Sequence, residues 1–411
     1  MKSLPFKLKL AFKFTSCLLL FLLPFVKTTN LYCGKLDDLE HLIGDRDAVL
    51  IADPKGHIVF SKNVDIQLIP ASTLKIFTAL VAIHYLGLDY KFFTEFSMDR
   101  HSNIKIKGYG DPLLISETVV EMIHHLSMKL CAKYSIINDL ILDDSYFGVP
   151  TVIPGVNVSY EPYDAPNGAL CVNFNTVNFK RNKNGVYVSA EPQTPLLPFI
   201  LSRVKASQMD HGRIVLSSQR NEITLYAGHL FLYFLKKEGI RLNGSIRLGK
   251  VQKKADKLIY RYVSSYSLIQ TLSKLLEYSN NFLANQLLIT VGAKAYGPPG
   301  NLEKGVRAAL IYAKNILEID HVQIEEGSGI SRKNQISARD FYKILNAFKP
   351  HYFLMRQTDR MYYKTGTLKG IHTRTGYIKK KNGESYPFVL MINTPGKSPE
   401  PMMEIIQREI N

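Results

Sequence analysis

The distribution of apolar and polar residues divides the chain into strand-like and helix-like segments. Residues 48–61 alternate across a Pro-Lys-Gly turn and predict a β-hairpin. The next stretch is apolar nearly all round from Pro70 to Gly87, which predicts a buried helix between these residues. Lys75 falls inside this predicted helix, where a charge is costly unless it has a chemical task.

The pattern changes between residues 91 and 255, where short strand-like runs alternate with Gly, Pro and Asn turns. Longer helical patterns follow Tyr260, and the chain closes with an antiparallel hairpin around Asn382-Gly383 and a last helix. The predicted fold class is α/β (α+β), an antiparallel sheet flanked by helices. The predicted domains are an N-terminal leader at 1–30, one domain formed by 31–90 and 256–411, and an inserted strand-rich domain at 91–255.

The N-terminus is basic and then apolar. Four lysines precede an apolar run from Phe14 to Val26, and residues 1–30 contain no acidic residue. This pattern is typical of an export signal, with an uncleaved membrane anchor as the alternative. We therefore expect an exported, periplasmic protein that is membrane-associated if this segment is retained.

The net charge is +17, and removal of the thirty leader residues with their five lysines leaves about +12. This excess favours anionic partners, and we expect peripheral association with an anionic membrane or an acidic cell-wall polymer. Export and the lack of a recognisable motif argue against nucleic acid.

Three cysteines follow the leader, at positions 33, 131 and 171. An odd number defines no disulfide framework, although one bridge between two of Cys33, Cys131 and Cys171 is compatible with export. No Cys/His spacing indicates a metal site, and no cofactor is predicted.

Ser72 and Lys75 are three residues apart, which places them on one face of the predicted helix. A buried lysine with a lowered pKa can be neutral and accept the proton of a serine hydroxyl one turn away. The same spacing recurs from Ser102 and from Ser202, so it does not identify a nucleophile alone. Ser72 differs because it is expected in the first turn of a buried helix, where backbone N–H groups face a developing oxyanion.

The run Ser279-Asn280-Asn281 joins two helical patterns. A hydroxyl and an amide at such a junction can relay a proton and bind a substrate carbonyl. The alternative is an ordinary helix N-cap, for which Ser and Asn are common.

The run Lys364-Thr365-Gly366-Thr367 has the character of a strand end. A cation and two hydroxyls there can hold a carboxylate, and the glycine lets a substrate backbone come close. The alternative is a surface strand that ends in a turn.

These motifs occur in the order S-x-x-K, S-x-N and K-T-G, the signature of penicillin-binding proteins and class A β-lactamases. The sequence resembles the S13 peptidases, low-molecular-mass class C penicillin-binding proteins that are D-alanyl-D-alanine carboxypeptidases and endopeptidases. The resemblance covers most of the chain after the leader and includes IPASTLKIFTAL, KGYGDPLL, EYSNNFLANQLL, EEGSGISR and KTGTLKGIHTRTGYI. The GDP and GSG-x-SR segments are not shared by serine β-lactamases, and Tyr109 replaces a glycine usual in the family.

The resemblance implies a β-lactamase/transpeptidase-like domain that is split by an insert. It also implies that Ser72 is the acylated nucleophile and Lys75 its general base. Ser279 would belong to the proton relay toward the leaving D-alanine. The backbone N–H groups of Ser72 and Thr367 would form the oxyanion hole.

The implied substrates are peptidoglycan stem peptides, and the implied covalent inhibitors are β-lactam antibiotics. Asn281 would contact the substrate amide, while Lys364, Thr365 and Thr367 would bind the terminal carboxylate. This would explain the cation in the third motif, because a carboxypeptidase must recognise a chain end.

Two alternatives share the fold, a non-catalytic cell-wall scaffold and a serine β-lactamase. A scaffold has no need of a buried Lys75. A β-lactamase needs a base that activates water, and no glutamate-bearing loop of the class A kind is identifiable between the first two motifs.

Overall fold

The computed structural model of the protein describes residues 36–130, 135–148 and 151–410. The predicted leader at 1–30 and two cysteines, Cys33 and Cys131, lie outside the described residues. Cys171 is buried and is not part of a disulfide. Among the described residues, no helix has the length and apolar character needed to cross a membrane.

Helices and strands both occur along the whole described part of the chain. The helices are α1 (Lys75–Leu86), α2 (Ser116–Leu130), α3 (Leu201–Ala206), α4 (Glu222–Lys237), α5 (Leu268–Tyr278), α6 (Asn281–Tyr296), α7 (Leu302–Leu317), α8 (Ala338–Phe348) and α9 (Glu400–Ile410). The strands are β1 (Asp47–Ala52), β2 (Ile58–Lys62), β3 (Lys91–Met98), β4 (Ile104–Gly108), β5 (Ile136–Ile137), β6 (Leu140–Asp143), β7 (Thr176–Arg181), β8 (Tyr187–Ser189), β9 (His211–Val215), β10 (Arg241–Leu242), β11 (Ile246–Leu248), β12 (Lys257–Ser267), β13 (Arg356–Thr358), β14 (Met361–Leu368), β15 (Ile371–Lys379) and β16 (Ser385–Ile392).

The main sheet has the strand order β13-β14-β15-β16-β1-β2 and is antiparallel throughout. At its centre, a strand from the N-terminal part of the chain pairs with one from the C-terminal part, because Leu50 of β1 lies opposite Val389 of β16. Side chains alternate between the faces: Leu50 packs in the core with α1 and α8, whereas Val49 and Ile51 pack with α9. The sheet is therefore buried on both sides, and the predicted N- and C-terminal hairpins form adjacent parts of it.

Helix α1 runs through the core, as its nearly all-apolar sequence predicts, and it ends at Gly87, which has a φ of 85°. Its start differs from the prediction. Residues Ala71–Leu74 form a 3₁₀ turn, and the α-helix begins only at Lys75. The cause is local, since Ala71 has a φ of 47°, a left-handed conformation that costs an L-residue roughly 1–2 kcal/mol.

The region predicted as an insert, residues 91–255 and called the insert below, contributes β3, β4, β6 and β11 to a sheet with the order β11-β6-β4-β3-β12, in which β6 runs parallel to β4 and to β11. Helix α2 connects β4 to β6, as a parallel crossover requires, and packs with α4. The insert thus contains substantial helices besides the predicted strands. Its sheet also extends past the predicted boundary at 255, because Tyr262 of β12 pairs with Thr94 of β3.

The core of the main sheet generates a stability prediction. Leu50 has no solvent exposure, so Leu50→Ala should lower the free energy of unfolding by about 2–5 kcal/mol through lost apolar contact and an internal cavity. The matched control is Ile58→Ala in the partner strand, where the side chain is 43% exposed, and its cost should be below about 1 kcal/mol. Urea denaturation followed by circular dichroism measures both, and equal losses would contradict the assigned burial.

Candidate active site

Ser72 and Lys75 lie where the 3₁₀ turn meets α1. The Nζ atom of Lys75 is 2.8 Å from the Oγ atom of Ser72. Ser72 is partly exposed, whereas the Lys75 side chain is fully buried. The pair therefore presents one hydroxyl to a cleft and keeps an amine behind it, as a nucleophile and its base require.

Two glycines let other segments approach the Ser72 backbone closely. A Cβ atom at Gly366 in β14 would lie 2.7 Å from the Ser72 nitrogen and 2.8 Å from the Pro70 carbonyl oxygen. Gly329 has a φ of 84°, and a Cβ atom there would overlap the Ala71 carbonyl and lie 3.1 Å from the Ser72 nitrogen. Only glycine permits these approaches, which hold the turn between a strand and a loop.

The buried amine of Lys75 has two further polar contacts. It donates to the Oδ1 atom of Asn281 at 2.8 Å and to the carbonyl oxygen of Ser328 at 2.7 Å. Burial lowers the pKa of Lys75 well below its usual value, and the charge of Lys364 lowers it further, while Glu326 acts in the opposite direction. The environment therefore favours the neutral amine that a general base needs.

The second motif spans the junction between α5 and α6. Ser279 has a φ of 54° at the end of α5 and lines the same cleft as Ser72. The N-cap of α6 is Asn280, whose side chain accepts from the backbone nitrogen of Leu283 at 3.0 Å. The middle residue of the motif, Asn280, therefore caps the helix. Asn281 instead contacts Lys75 and donates to the Tyr163 carbonyl at 3.2 Å.

Strand β14 carries the third motif at an edge of the main sheet. Strand β13 pairs only with residues 361–363, so no described strand covers the outer edge of 364–368. The Lys364 side chain is 3% exposed and donates to the carbonyl oxygen of Thr365 at 2.8 Å. Burial, aided by the charge of Arg356, lowers the pKa of Lys364 to about 8.

The cleft in front of Ser72 has a volume of about 980 Å³. Among the predicted site residues, those that line it are Ser72, Ser279, Asn281 and Thr367. Thr365 opens instead on a second recess of about 360 Å³, whose lining includes Thr367 and Arg374. The insert contributes a wall of the main cleft through Pro154, Gly155, Asn157 and Tyr163.

Sequence reasoning noted the loop at residues 326–331 as a family segment but missed its role in this arrangement. It supplies the Ser328 carbonyl that accepts from Lys75, and Glu326, which orders the loop. The available signal was the Gly-Ser-Gly run after two glutamates. It indicates a tight turn, but not the lysine that the turn contacts.

Comparison with known proteins agrees with this geometry. The sequence profile of the D-Ala-D-Ala carboxypeptidase 3 (S13) family matches residues 34–200 and 208–361. A D-alanyl-D-alanine carboxypeptidase of Actinomadura sp. strain R39 is 24% identical to the chain, over 82% of this chain and 75% of that protein.

Two solved structures share the fold. Penicillin binding protein 4 of Haemophilus influenzae superposes with a TM-score of 0.71 at 20% identity, over 92% of this chain and 98% of that one. A predatory peptidoglycan endopeptidase of Bdellovibrio bacteriovorus superposes with a TM-score of 0.51 at 17% identity, over 88% of this chain and 90% of that one. These matches confirm the family resemblance and the predicted fold class.

The two lysines predict a bell-shaped pH dependence for acylation by penicillin. The rate constant should rise as Lys75 loses its proton and reach a plateau well below pH 10.5, the ordinary lysine pKa, because burial lowers the pKa of Lys75. It should fall again above about pH 8, where Lys364 loses its charge and attracts a carboxylate less strongly.

The matched variant is Lys364→Arg, which stays charged to high pH. Its rate constant should still rise with pH as Lys75 loses its proton, which is the acidic limb of the profile. It should no longer fall above about pH 8, so the alkaline limb should be absent, whatever the maximal rate of the variant. Stopped-flow measurement of acylation between pH 5 and 10 provides both profiles. A wild-type rate that still rises above pH 9 would contradict the assignment.

Proposed function

This chain belongs to the D-Ala-D-Ala carboxypeptidase 3 (S13) family of peptidases, and we propose that it removes the terminal D-alanine of peptidoglycan stem peptides through an acyl-serine intermediate. The observation that carries the proposal is the 2.8 Å contact between Ser72 Oγ and the buried Lys75 Nζ at the cleft floor. A nucleophile beside a neutral base, at an open strand edge with a cation, suits hydrolysis next to a terminal carboxylate.

Acylation begins with proton transfer from the Ser72 hydroxyl to the Lys75 amine. The Ser72 oxygen attacks the carbonyl carbon of the bond between the two D-alanines, and the negative charge moves to the carbonyl oxygen. The backbone N–H groups of Ser72 and Thr367 stabilise this oxyanion, and each such donor contributes about 3 kcal/mol in comparable sites. The close approach permitted by Gly366 brings their two segments together.

Collapse of the intermediate breaks the C–N bond, and the leaving amine takes up the proton that Lys75 received. Ser279 relays this proton, because its hydroxyl belongs to the same cleft as Ser72. A water molecule then attacks the ester and its oxygen joins the acyl carbon. The bond between this carbon and the Ser72 oxygen breaks, and one proton of the water passes through Lys75 to the Ser72 oxygen. Free enzyme, D-alanine and a shortened peptide result.

The amide of Asn281 and the residues of the third motif bind the substrate. Lys364 supplies positive charge behind the strand edge, and Thr367 supplies a hydroxyl for the terminal carboxylate in the cleft. Thr365 supplies a second hydroxyl from the adjoining recess, which Thr367 also lines. A β-lactam carries an equivalent carboxylate beside its reactive carbonyl, so β-lactams acylate the same serine. Cross-linked stem peptides end in the same group, and DD-endopeptidase action follows from the same contacts.

Location and partners are inferred from the sequence. The basic and apolar N-terminus supports export to the periplasm, where peptidoglycan is found, with membrane association if this segment is retained. The positive net charge supports peripheral contact with an anionic membrane or cell-wall polymer.

Hydrolysis of a synthetic stem pentapeptide, followed by the appearance of the shortened tetrapeptide, tests the proposal. The free acid should be hydrolysed, and the same peptide with a C-terminal amide should react at least about 30-fold more slowly, since a lost contact to a buried charge costs about 2–5 kcal/mol. Lys364→Met should reduce this preference for the acid, and Ser72→Ala should release no D-alanine. Equal hydrolysis of acid and amide by the wild type would refute carboxylate recognition.

A further inference from the structure

A buried carboxylate lies behind the catalytic lysine and takes no part in the steps above. The Glu326 side chain has no solvent exposure, and it belongs to none of the ion pairs among the described residues. It is satisfied by hydrogen bonds alone. The Oε1 atom accepts from the nitrogens of Gly329 (2.6 Å) and Ser331 (3.3 Å) and from Asn334 Nδ2 (2.7 Å). The Oε2 atom accepts from Ser328 nitrogen (2.6 Å), Ser328 Oγ (2.6 Å) and Asn285 Nδ2 (3.1 Å).

These bonds fold the loop around the carboxylate and fix it to two helices. Asn285 of α6 also accepts from the Gly327 nitrogen at 2.7 Å, and Thr78 of α1 donates to the Gly327 carbonyl at 2.6 Å. Thr78 lies one turn after Lys75, so the loop and the lysine share one helix face. The carbonyl of Ser328 is consequently held 2.7 Å from the Lys75 amine.

The direction of this carbonyl matters for proton transfer. A neutral amine has two N–H bonds and one lone pair, and a general base must aim the lone pair at the hydroxyl. Asn281 and Ser328 accept the two N–H bonds of Lys75, which leaves the lone pair directed at Ser72. Without the Ser328 carbonyl, the amine could rotate about its carbon–nitrogen bond, Cε–Nζ, and lose this direction.

The charge of Glu326 also acts on Lys75. Two charged groups influence the buried amine: Lys364 from β14 disfavours its protonation, and Glu326 from the loop favours it. The other groups in contact with the amine, on Ser72, Asn281 and Ser328, carry no charge. Glu326 thus offsets part of the effect of burial, which helps Lys75 to hold the proton between attack and release.

We infer that Glu326 is a positioning residue for acylation, which directs the Lys75 lone pair at Ser72 through the Ser328 carbonyl. The inference rests on the proposed role of Lys75 as the general base. It assigns a function to a buried carboxylate that touches neither substrate nor nucleophile.

The test is the pH profile of acylation by benzylpenicillin for the full chain and two variants. Glu326→Gln removes the charge and replaces one oxygen, which accepts three hydrogen bonds, by an NH₂ group that can only donate, so the maximal rate should fall at least tenfold. Its acidic limb should move to lower pH, because the charge that favours protonation of Lys75 is gone. Glu326→Asp keeps the charge and shortens the side chain, so its maximal rate should fall while its acidic limb stays in place.

The matched control is Asp143→Asn in the insert. Asp143 is equally buried and also accepts from backbone nitrogens, those of Ser145 and Val251. The control should change the acylation rate only in proportion to the folded fraction, measured by circular dichroism, with no movement of the acidic limb.

Two results for Glu326→Gln would together overturn the inference. Its acidic limb would lie at the wild-type pH, and its acylation rate would fall only in proportion to its folded fraction, as in the control. If Glu326→Gln does not fold, Glu326→Asp provides the test. A lower maximal acylation rate with the acidic limb at the wild-type pH supports the inference, and a maximal rate equal to that of the wild type overturns it. Failure of the proposed function is distinguishable, because the wild type would then not be acylated at any pH.

Discussion

The amine of Lys75 is buried with no carboxylate within hydrogen-bond distance among the described residues, and this constraint organises the site. A lysine in this position would destabilise the fold if it remained charged and unpaired. Its polar contacts are instead a hydroxyl, an amide oxygen and a backbone carbonyl, each from a different part of the chain. The structure therefore stabilises an amine that can change its protonation state, which proton transfer requires.

The fold supplies those partners by bringing distant segments together. Helix α6 contributes Asn281, the loop after α7 contributes Ser328, and β14 passes beside the turn that carries Ser72. Close backbone contact at Gly366 and Gly329 leaves no room for a side chain, so small shifts there would move Ser72, the proposed nucleophile. The unfavourable φ at Ala71 is held by this surrounding structure, as expected for strain at a functional turn.

The sequence predicted the elements with strong periodicity and the residues with reactive side chains. Helix α1, the terminal hairpins and the three motifs follow from apolar spacing and from hydroxyl, amide and amine groups in order. The 3₁₀ turn was not predictable, because alanine has no preference for the left-handed conformation at position 71. The pairing of Lys257–Ser267 with β3 was not predictable, because the alternation in this strand does not indicate which sheet it joins. The Ser328 carbonyl was missed because a backbone acceptor carries no side-chain signature.

The central claim is that Ser72 becomes acylated with the help of a neutral Lys75. Intact mass spectrometry of the purified protein after exposure to benzylpenicillin tests it most directly, beside a Ser72→Ala variant shown to be folded. The account predicts a stable adduct of one penicillin per chain in the wild type and none in the variant. An adduct that persists in the variant, or hydrolysis of the drug by the wild type without an adduct, would contradict it.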